Sequence, residues 1–541
     1  TSSSAPTLPA SASASASFAF ASGRRGASGL SGRGAGRPAM HIATCVWQEK
    51  AAAAMGAAGG RAGEWALSRA SVWALLAVAG GALNCAVSFV VFSFLDVLDM
   101  VLCVVYKVVD YAVEAEWKPC YCSPAAREDG GGGSAAGTLF VPPRAASAGP
   151  KVVRLSSSSS SANKMQVEDV SDTLYVRASL LSDATCRKPG QSAPALTVSP
   201  AIAELIRGKI DRAPRPPRQA PCWSDCDCKH CHSWSTGSRS SHLYVHVQAP
   251  PPSVEATEAV VFIHGFISSS VFWTETVFPA FSPAARGKYR MFAVDLLGFG
   301  RSPKPAESLY TLREHLEMIE RSVLQRYRLR SFHVVAHSLG SVLALALAVK
   351  YPDAVKSLTL LAPPYFPVPE EEAGAATQYV MRRVAPRRVW PPIAFGASMA
   401  CWYEHVSRTI CLTICRHHRV WDRLFRIFTR NRMRTFLIEA FMCHTHNAAW
   451  HTLHNIMCLS ASRMGSYLDV VSAQLSCKVA LFHGRDDELL PVECTLAVGA
   501  RVPRARVTVY DNKDHITIVI GQEKLFAAEL EAIWTAACRQ D

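Results

Sequence analysis

The sequence lacks the spacings that mark nucleic-acid binders: no zinc-finger pairing, no aromatic-basic RNA-binding pattern and no basic region feeding heptads. A net charge of +14 therefore points to an anionic membrane surface, and no nucleic-acid partner is expected. The 18 cysteines are spread along 541 residues with one dense cluster, which excludes a small disulfide scaffold. Acid is nearly absent from residues 1–63, where Ala, Ser, Gly and Arg form a low-complexity stretch that cannot bury a core. That stretch reads as disordered, as an organelle transit peptide, or as lying upstream of the true start. The chain opens on Thr, and of Met40 and Met55 the latter is the favoured start, because a membrane-targeted N-terminus follows it.

Residues 71–109 are almost wholly apolar, broken near the end by Asp96 and Asp99. The run is longer than a signal-peptide core and meets the roughly 20 residues that a spanning helix needs. Arg61 and Arg69 precede it and Asp110, Glu114 and Glu116 follow, so the charge bias places the N-terminus in the cytosol and the rest across the membrane. Residues 110–221 alternate Gly, Ser and Pro clusters and read as a mostly disordered linker with one short helix at Ile202 to Ile210. Residues 222–234 hold four Cys and two His. Their spacing matches no zinc ribbon and no second paired cluster follows, so disulfides compete with metal and no metal site is assigned.

From His242 onward the pattern becomes regular. Apolar runs at Leu243–Val247, Ala259–Ile263, Tyr289–Val294, Phe332–Ala336, Ser357–Leu361, Val479–Phe482 and Val507–Tyr510 alternate with helical stretches. This predicts an α/β fold with a mostly parallel sheet and helices on both faces. Residues 242–361 and 463–541 form its two parts. Residues 362–462, helical and rich in Arg, read as an inserted cap. In the cap Leu424, Phe425, Ile427, Phe428, Phe436, Leu437, Phe441 and Met442 interleave with arginines, which suits either a lipid-facing surface or an ordinary basic face over an apolar core.

Within that frame Ala336-His337-Ser338-Leu339-Gly340 passes from strand to helix. A Ser on such a turn is strained and needs small residues two positions away on each side, here Ala336 and Gly340; the strain lifts its hydroxyl above the sheet. Four more motifs fall at strand ends, where open α/β sheets bind ligands. His264-Gly265-Phe266 supplies an N–H at Phe266 that, with the Leu339 N–H, forms an oxyanion hole; His264, Gly265 and His337 are candidates to line the substrate loop. Asp295 heads a glycine-rich turn and reads as a structural brace, with a fallback role as the acid. Asp486, Asp487 and Glu488 compete to orient the base; Asp487 is preferred, three after Gly484 and four before Pro491. His515 follows the last strand and completes the order Ser, Asp, His. Ser rather than Asp at position 338 argues against epoxide-hydrolase and dehalogenase chemistry. The His-x-x-x-x-Asp acyltransferase motif is absent at His515, since Ile520 holds the fifth position.

This ordered set resembles the α/β-hydrolase superfamily over about His242 to Gln540. More narrowly, Phe94-Leu95-Asp96-Val97-Leu98-Asp99, Trp223-Ser224-Asp225-Cys226, His264 to Ser270 running on to Phe272-Trp273-Thr274-Glu275-Thr276, and Asp514-His515-Ile516-Thr517 resemble the plant BODYGUARD family. The ordered set points to a serine hydrolase or acyltransferase working through an acyl-enzyme, with no cofactor. The resemblance implies a lysophospholipase-like enzyme on lipid or fatty-acyl esters, tied to building the cuticle at the cell wall. It implies a membrane-anchored or secreted protein with its active part outside the cell; the endoplasmic reticulum and the plastid are the alternative compartments. A hydrolase-fold protein that binds a small apolar ligand without catalysis is the rival reading.

Overall fold

Strict alternation along the apolar runs dictates a two-faced sheet. In the computed structural model, Val261 and Ile263 of one strand join a core on one face while Val260 and Phe262 join a second core on the other. The structure describes residues 69–114, 138–141, 151–154, 166–175, 241–250, 258–305, 308–428 and 435–538. The low-complexity start, the Ile202–Ile210 helix, the Cys222 to Trp234 cluster and Arg430, Arg432 and Arg434 lie outside these residues. The chain divides into two compact units, Thr1–Val78 and Ala79–Asp541. Of the first, only the opening turns of helix α1 (Arg69–Glu114) are described.

A difference from expectation lies within 110–221. Strands β1 (Thr138–Val141), β2 (Lys151–Arg154) and β3 (Gln166–Asp169) pair antiparallel in that order. Each is only four residues long, too short to show a period among the surrounding Gly and Ser. Next to β3, Val170 and Leu174 pack against Trp450. The Ser171 N–H donates to Asn455 Oδ1 at 2.8 Å, and Thr173 Oγ1 lies 2.8 Å from His454 Nδ1. A segment read as linker is thus a strap bound to the inserted helices.

The main sheet holds β4 (Val245–Gln248), β5 (Glu258–Ile263), β6 (Tyr289–Val294), β7 (Phe332–His337), β8 (Val355–Leu361), β9 (Lys478–Gly484) and β10 (Arg506–Tyr510). Their spatial order is β10-β9-β8-β7-β5-β6-β4. Every pairing is parallel except β4 with β6. Helices α2 (Leu312–Ile319) and α3 (Gly340–Lys350) follow β6 and β7. Thr311 caps α2 reciprocally with Glu314, so both ends of that hydrogen-bond pair are satisfied. Between β8 and β9 come α4 (Ala376–Val384), α5 (Pro392–Trp402), α6 (Glu404–Arg416), α7 (His418–Phe428), α8 (Thr435–Met442), α9 (His446–Thr452) and α10 (Met464–Gln474). Helices α11 (Val492–Arg501) and α12 (Glu523–Cys538) complete the chain.

The aromatic face carries much of the packing. Phe262 is fully buried, with ring centroids 5.0 Å from Phe278, 5.4 Å from Trp273 and 6.2 Å from Trp534. Replacing Phe262 with Ala is expected to cost about 3–5 kcal/mol, read as a lowered midpoint in urea unfolding.

Candidate active site

Strand β7 delivers Ser338 to the C-terminal edge of the sheet, and α3 leaves at Gly340. Ser338 has φ of +52°, a left-handed angle that a residue with a side chain adopts only under constraint. Its N–H donates to the Leu361 carbonyl at 2.8 Å, which ties the turn to β8. Gly340 is required by close approach: a Cβ there would sit 2.6 Å from the His264 carbonyl oxygen. Alanine at Gly340 would push the His264-Gly265-Phe266 loop away from Ser338. Since a 1 Å displacement costs about 100-fold, kcat should fall by that order while circular dichroism is unchanged. Among the described residues, neither the Phe266 nor the Leu339 N–H is taken by a hydrogen bond within the chain.

The structure brings Asp487 and His515 together. His515 Nδ1 lies 2.7 Å from Asp487 Oδ2. The other Asp487 oxygen accepts the Leu489 and Leu490 N–H groups, each at 2.9 Å. Asp486 and Glu488 are exposed, whereas Asp487 is buried, which separates the three competing acids. Burial pushes the Asp487 carboxyl up, but the His515 charge and hydrogen bonds from His483, His515 and Leu490 outweigh it and hold the group well below the usual carboxylate range. Asp295 does not share this cluster. It accepts the Ser270 N–H at 2.6 Å and the Arg301 N–H at 2.7 Å, the bracing geometry of its turn.

The three loop candidates divide. Gly265 faces the turn, and a Cβ on it would come 3.1 Å from Ser338 Cβ. His264 is fully buried, with Nδ1 2.7 Å from the Gly265 carbonyl and Nε2 accepting the Leu296 N–H at 2.9 Å. Both ring nitrogens are engaged in joining two loops, and burial lowers the imidazole pKa so that it stays neutral. His337 stacks on Phe272 at 5.0 Å, and its Nε2–H donates to the His515 carbonyl at 2.9 Å. Desolvation first, then the nearby His515, lowers its pKa to about 3, so this donor does not titrate near neutrality.

Sequence reasoning missed two supports. His483 sits at the end of β9, with Nδ1 2.6 Å from Thr495 Oγ1 and Nε2 2.8 Å from the Leu490 carbonyl and 3.5 Å from Asp487 Oδ2. Asp514 accepts the Ile516 and Thr517 N–H groups at 2.9 and 2.7 Å, a local turn that fixes the loop bearing His515. The signal for both was adjacency to a motif already marked.

The inserted helices meet this edge at Phe299, which bridges to His444. Gly298 makes that meeting feasible: its φ is +90°, and a Cβ would stand 2.5 Å from the Ala448 Cβ. Ser338 is 4% exposed and His515 8%, so both lie below the surface at this edge. A cavity of about 740 Å³ lies to the side, lined by Tyr244, His246, Arg286 and Arg301 among others, and none of Ser338, Asp487 or His515 borders it.

A family model described as the alpha/beta hydrolase fold matches residues 258–390. The Arabidopsis thaliana protein named "Probable lysophospholipase BODYGUARD 3" is 52% identical over 494 residues, covering 85% of this chain and 98% of its own. "Probable lysophospholipase BODYGUARD 1" from the same plant is 53% identical over 470 residues, 84% of this chain and 96% of its own. "Probable lysophospholipase BODYGUARD 2" is 48% identical over 478 residues. Matches of this depth, running nearly the full length of the relatives and across the sheet just described, make the chain a member of the BODYGUARD family with an α/β-hydrolase fold.

Proposed function

We propose that the chain is a serine-dependent hydrolase of lipid or fatty-acyl esters, with Ser338 as nucleophile, His515 as base and Asp487 as its orienting acid. The observation that carries the reading is the joint placement of a left-handed Ser338 at a strand-to-helix turn and a His515–Asp487 hydrogen bond of 2.7 Å at the same sheet edge. His515 Nε2 takes the hydroxyl proton as Ser338 Oγ attacks the acyl carbonyl. The tetrahedral oxyanion rests on the Phe266 and Leu339 N–H groups. Collapse expels the alcohol, which takes the proton from His515, and leaves an acyl-enzyme. Water then repeats the steps and releases the fatty acid. An acceptor hydroxyl in place of water gives acyl transfer. His264 and His337 act as positioning residues, one holding the Phe266 loop and the other the His515 loop.

The names of the relatives support a lysophospholipid as the substrate class, and the family resemblance supports a role in laying down cuticle lipids outside the cell. The direct test is to incubate purified protein with a radiolabelled lysophospholipid and with a fluorophosphonate probe. Release of free fatty acid together with covalent labelling supports the reading. A folded protein that binds the lipid, neither hydrolyses it nor takes the label, would instead be a binding protein on the same fold.

A further inference from the structure

Helix α1 is an apolar helix with a polar seam. Asn84, Ser88, Phe92, Asp96, Asp99, Tyr106 and Asp110 recur at steps of three, four or seven residues, and so lie on one face. That face is covered by the inserted helices. Asn84 Nδ2 donates to the Trp390 carbonyl at 3.3 Å, and the Val389 N–H donates to Ser88 Oγ at 3.0 Å. Phe92 is fully buried and stacks on Tyr403, whose hydroxyl donates to Asp96 at 2.8 Å. Asp99 Oδ1 accepts the His405 and Val406 N–H groups at 2.9 and 3.0 Å, which caps the start of α6. Tyr106 Oη lies 2.8 Å from Thr409 Oγ1. Asp110 receives both terminal nitrogens of Arg408, at 2.7 and 2.8 Å. The opposite face is apolar and bare: Leu83, Val90, Phe94, Val97, Val104 and Val108 are each between 52% and 66% exposed.

Length decides what this helix can do. The covered seam from Asn84 to Asp110 occupies about 39 Å, more than the roughly 30 Å of a bilayer's hydrocarbon core. Only about 22 Å of helix separates Arg69 from Asn84, which is too short to span. Were α1 to cross the bilayer with its seam docked, the inserted helices would be drawn into hydrocarbon. They carry charge at their surface, such as the Arg382–Glu372 pair with side chains 47% and 42% exposed. Were it to cross undocked, three carboxylates would face lipid. Both conflicts vanish when the helix lies flat with its bare face in the membrane and its polar face under protein. Trp390 and Ile393, 68% and 42% exposed beside the seam, extend the same apolar surface.

We infer that α1 is retained in the working protein as an in-plane membrane anchor and as one wall of the cap, with the acyl region of a bilayer as its partner. In this arrangement both ends of α1 lie on one side of the membrane. Cleavage within or after α1 would strip α5 and α6 of their partner, so the helix is not a discarded signal.

The test uses the full chain in microsomes, with one N-glycosylation acceptor ahead of Arg69 and another appended after Asp541. The expected result is that both are modified or neither is; modification of one alone overturns the proposal. In parallel, Ser88→Cys with Val389→Cys in a Cys85→Ser background should form a disulfide readily. The cross-link should slow at least tenfold with Asp110→Arg and recover when Arg408→Asp is added. Absence of the cross-link in the unperturbed protein, failure of the charge swap to restore it, or a mature N-terminus beyond Glu114 by mass spectrometry would each sink the idea.

Discussion

Replacing Ser338 with alanine is expected to abolish fluorophosphonate labelling and to lower ester turnover on the order of 10⁶-fold, with the thermal midpoint held within a degree or two. The size follows from the unit character of the three side chains: without the hydroxyl, His515 and Asp487 have no nucleophile to serve, and only the oxyanion hole and binding remain. Stability should be little changed, because the serine is held by its backbone, through the N–H to the Leu361 carbonyl. Removing the hydroxyl breaks none of that. A variant that loses labelling and also unfolds would mean that Ser338 is structural, and turnover that survives the change would place the nucleophile elsewhere. Stopped assays with lysophospholipid and denaturation followed by fluorescence separate these outcomes.

Asp487→Asn should lower kcat about 10⁴-fold with little change in KM, since the amide can present an N–H to His515 Nδ1 and so favour the wrong tautomer. This change should also cost stability, unlike that at Ser338. Asp487 takes the Leu489 and Leu490 N–H groups on one oxygen and His515 on the other. Its folded-state pKa is depressed, so its contribution is complete above the unfolded carboxylate value of about 3.9 and is lost as pH falls through the lower folded value. Wild type should therefore lose stability steeply below about pH 4. The Asn variant, already weakened at neutral pH, should show a flatter acid limb. Urea midpoints for both proteins from neutral pH down to about pH 2 read the difference directly.

Much of the fold was legible because burial on two faces writes itself into the strands. The runs Met291–Val294 and Val334–Ala336 are apolar on both faces, and their strands lead into the Asp295 turn and into Ser338. The acid was harder. Asp486, Asp487 and Glu488 differ in burial rather than in type, and burial at that turn depends on the Lys513–Asp514 loop crossing it, which no local pattern reports. The strap at Val170–Tyr175 was hidden for another reason: its bonds to Asn455 and His454 reach across 284 and 281 residues of sequence, and six residues carry no period. In α1 hydropathy masked the signal. The carboxylates at Asp96 and Asp99 were seen as interruptions of an apolar run, whereas their spacing with Asn84, Ser88 and Phe92 is that of a single packed face.

The bond from His337 to the His515 carbonyl closes a loop of 178 residues, and that distance has a temporal side. At synthesis rates of about 5–20 residues per second, His515 leaves the ribosome on the order of 10–35 s after the strand that carries Ser338. Asp110 of α1 leads its Arg408 partner by 298 residues, a longer interval still. Helix α1 is thus made first, the inserted helices that cover it second and the His515 loop last. On the reading proposed above, a nascent chain can meet a bilayer before Ser338 and His515 are brought together, and esterase competence follows only after α1 has been covered.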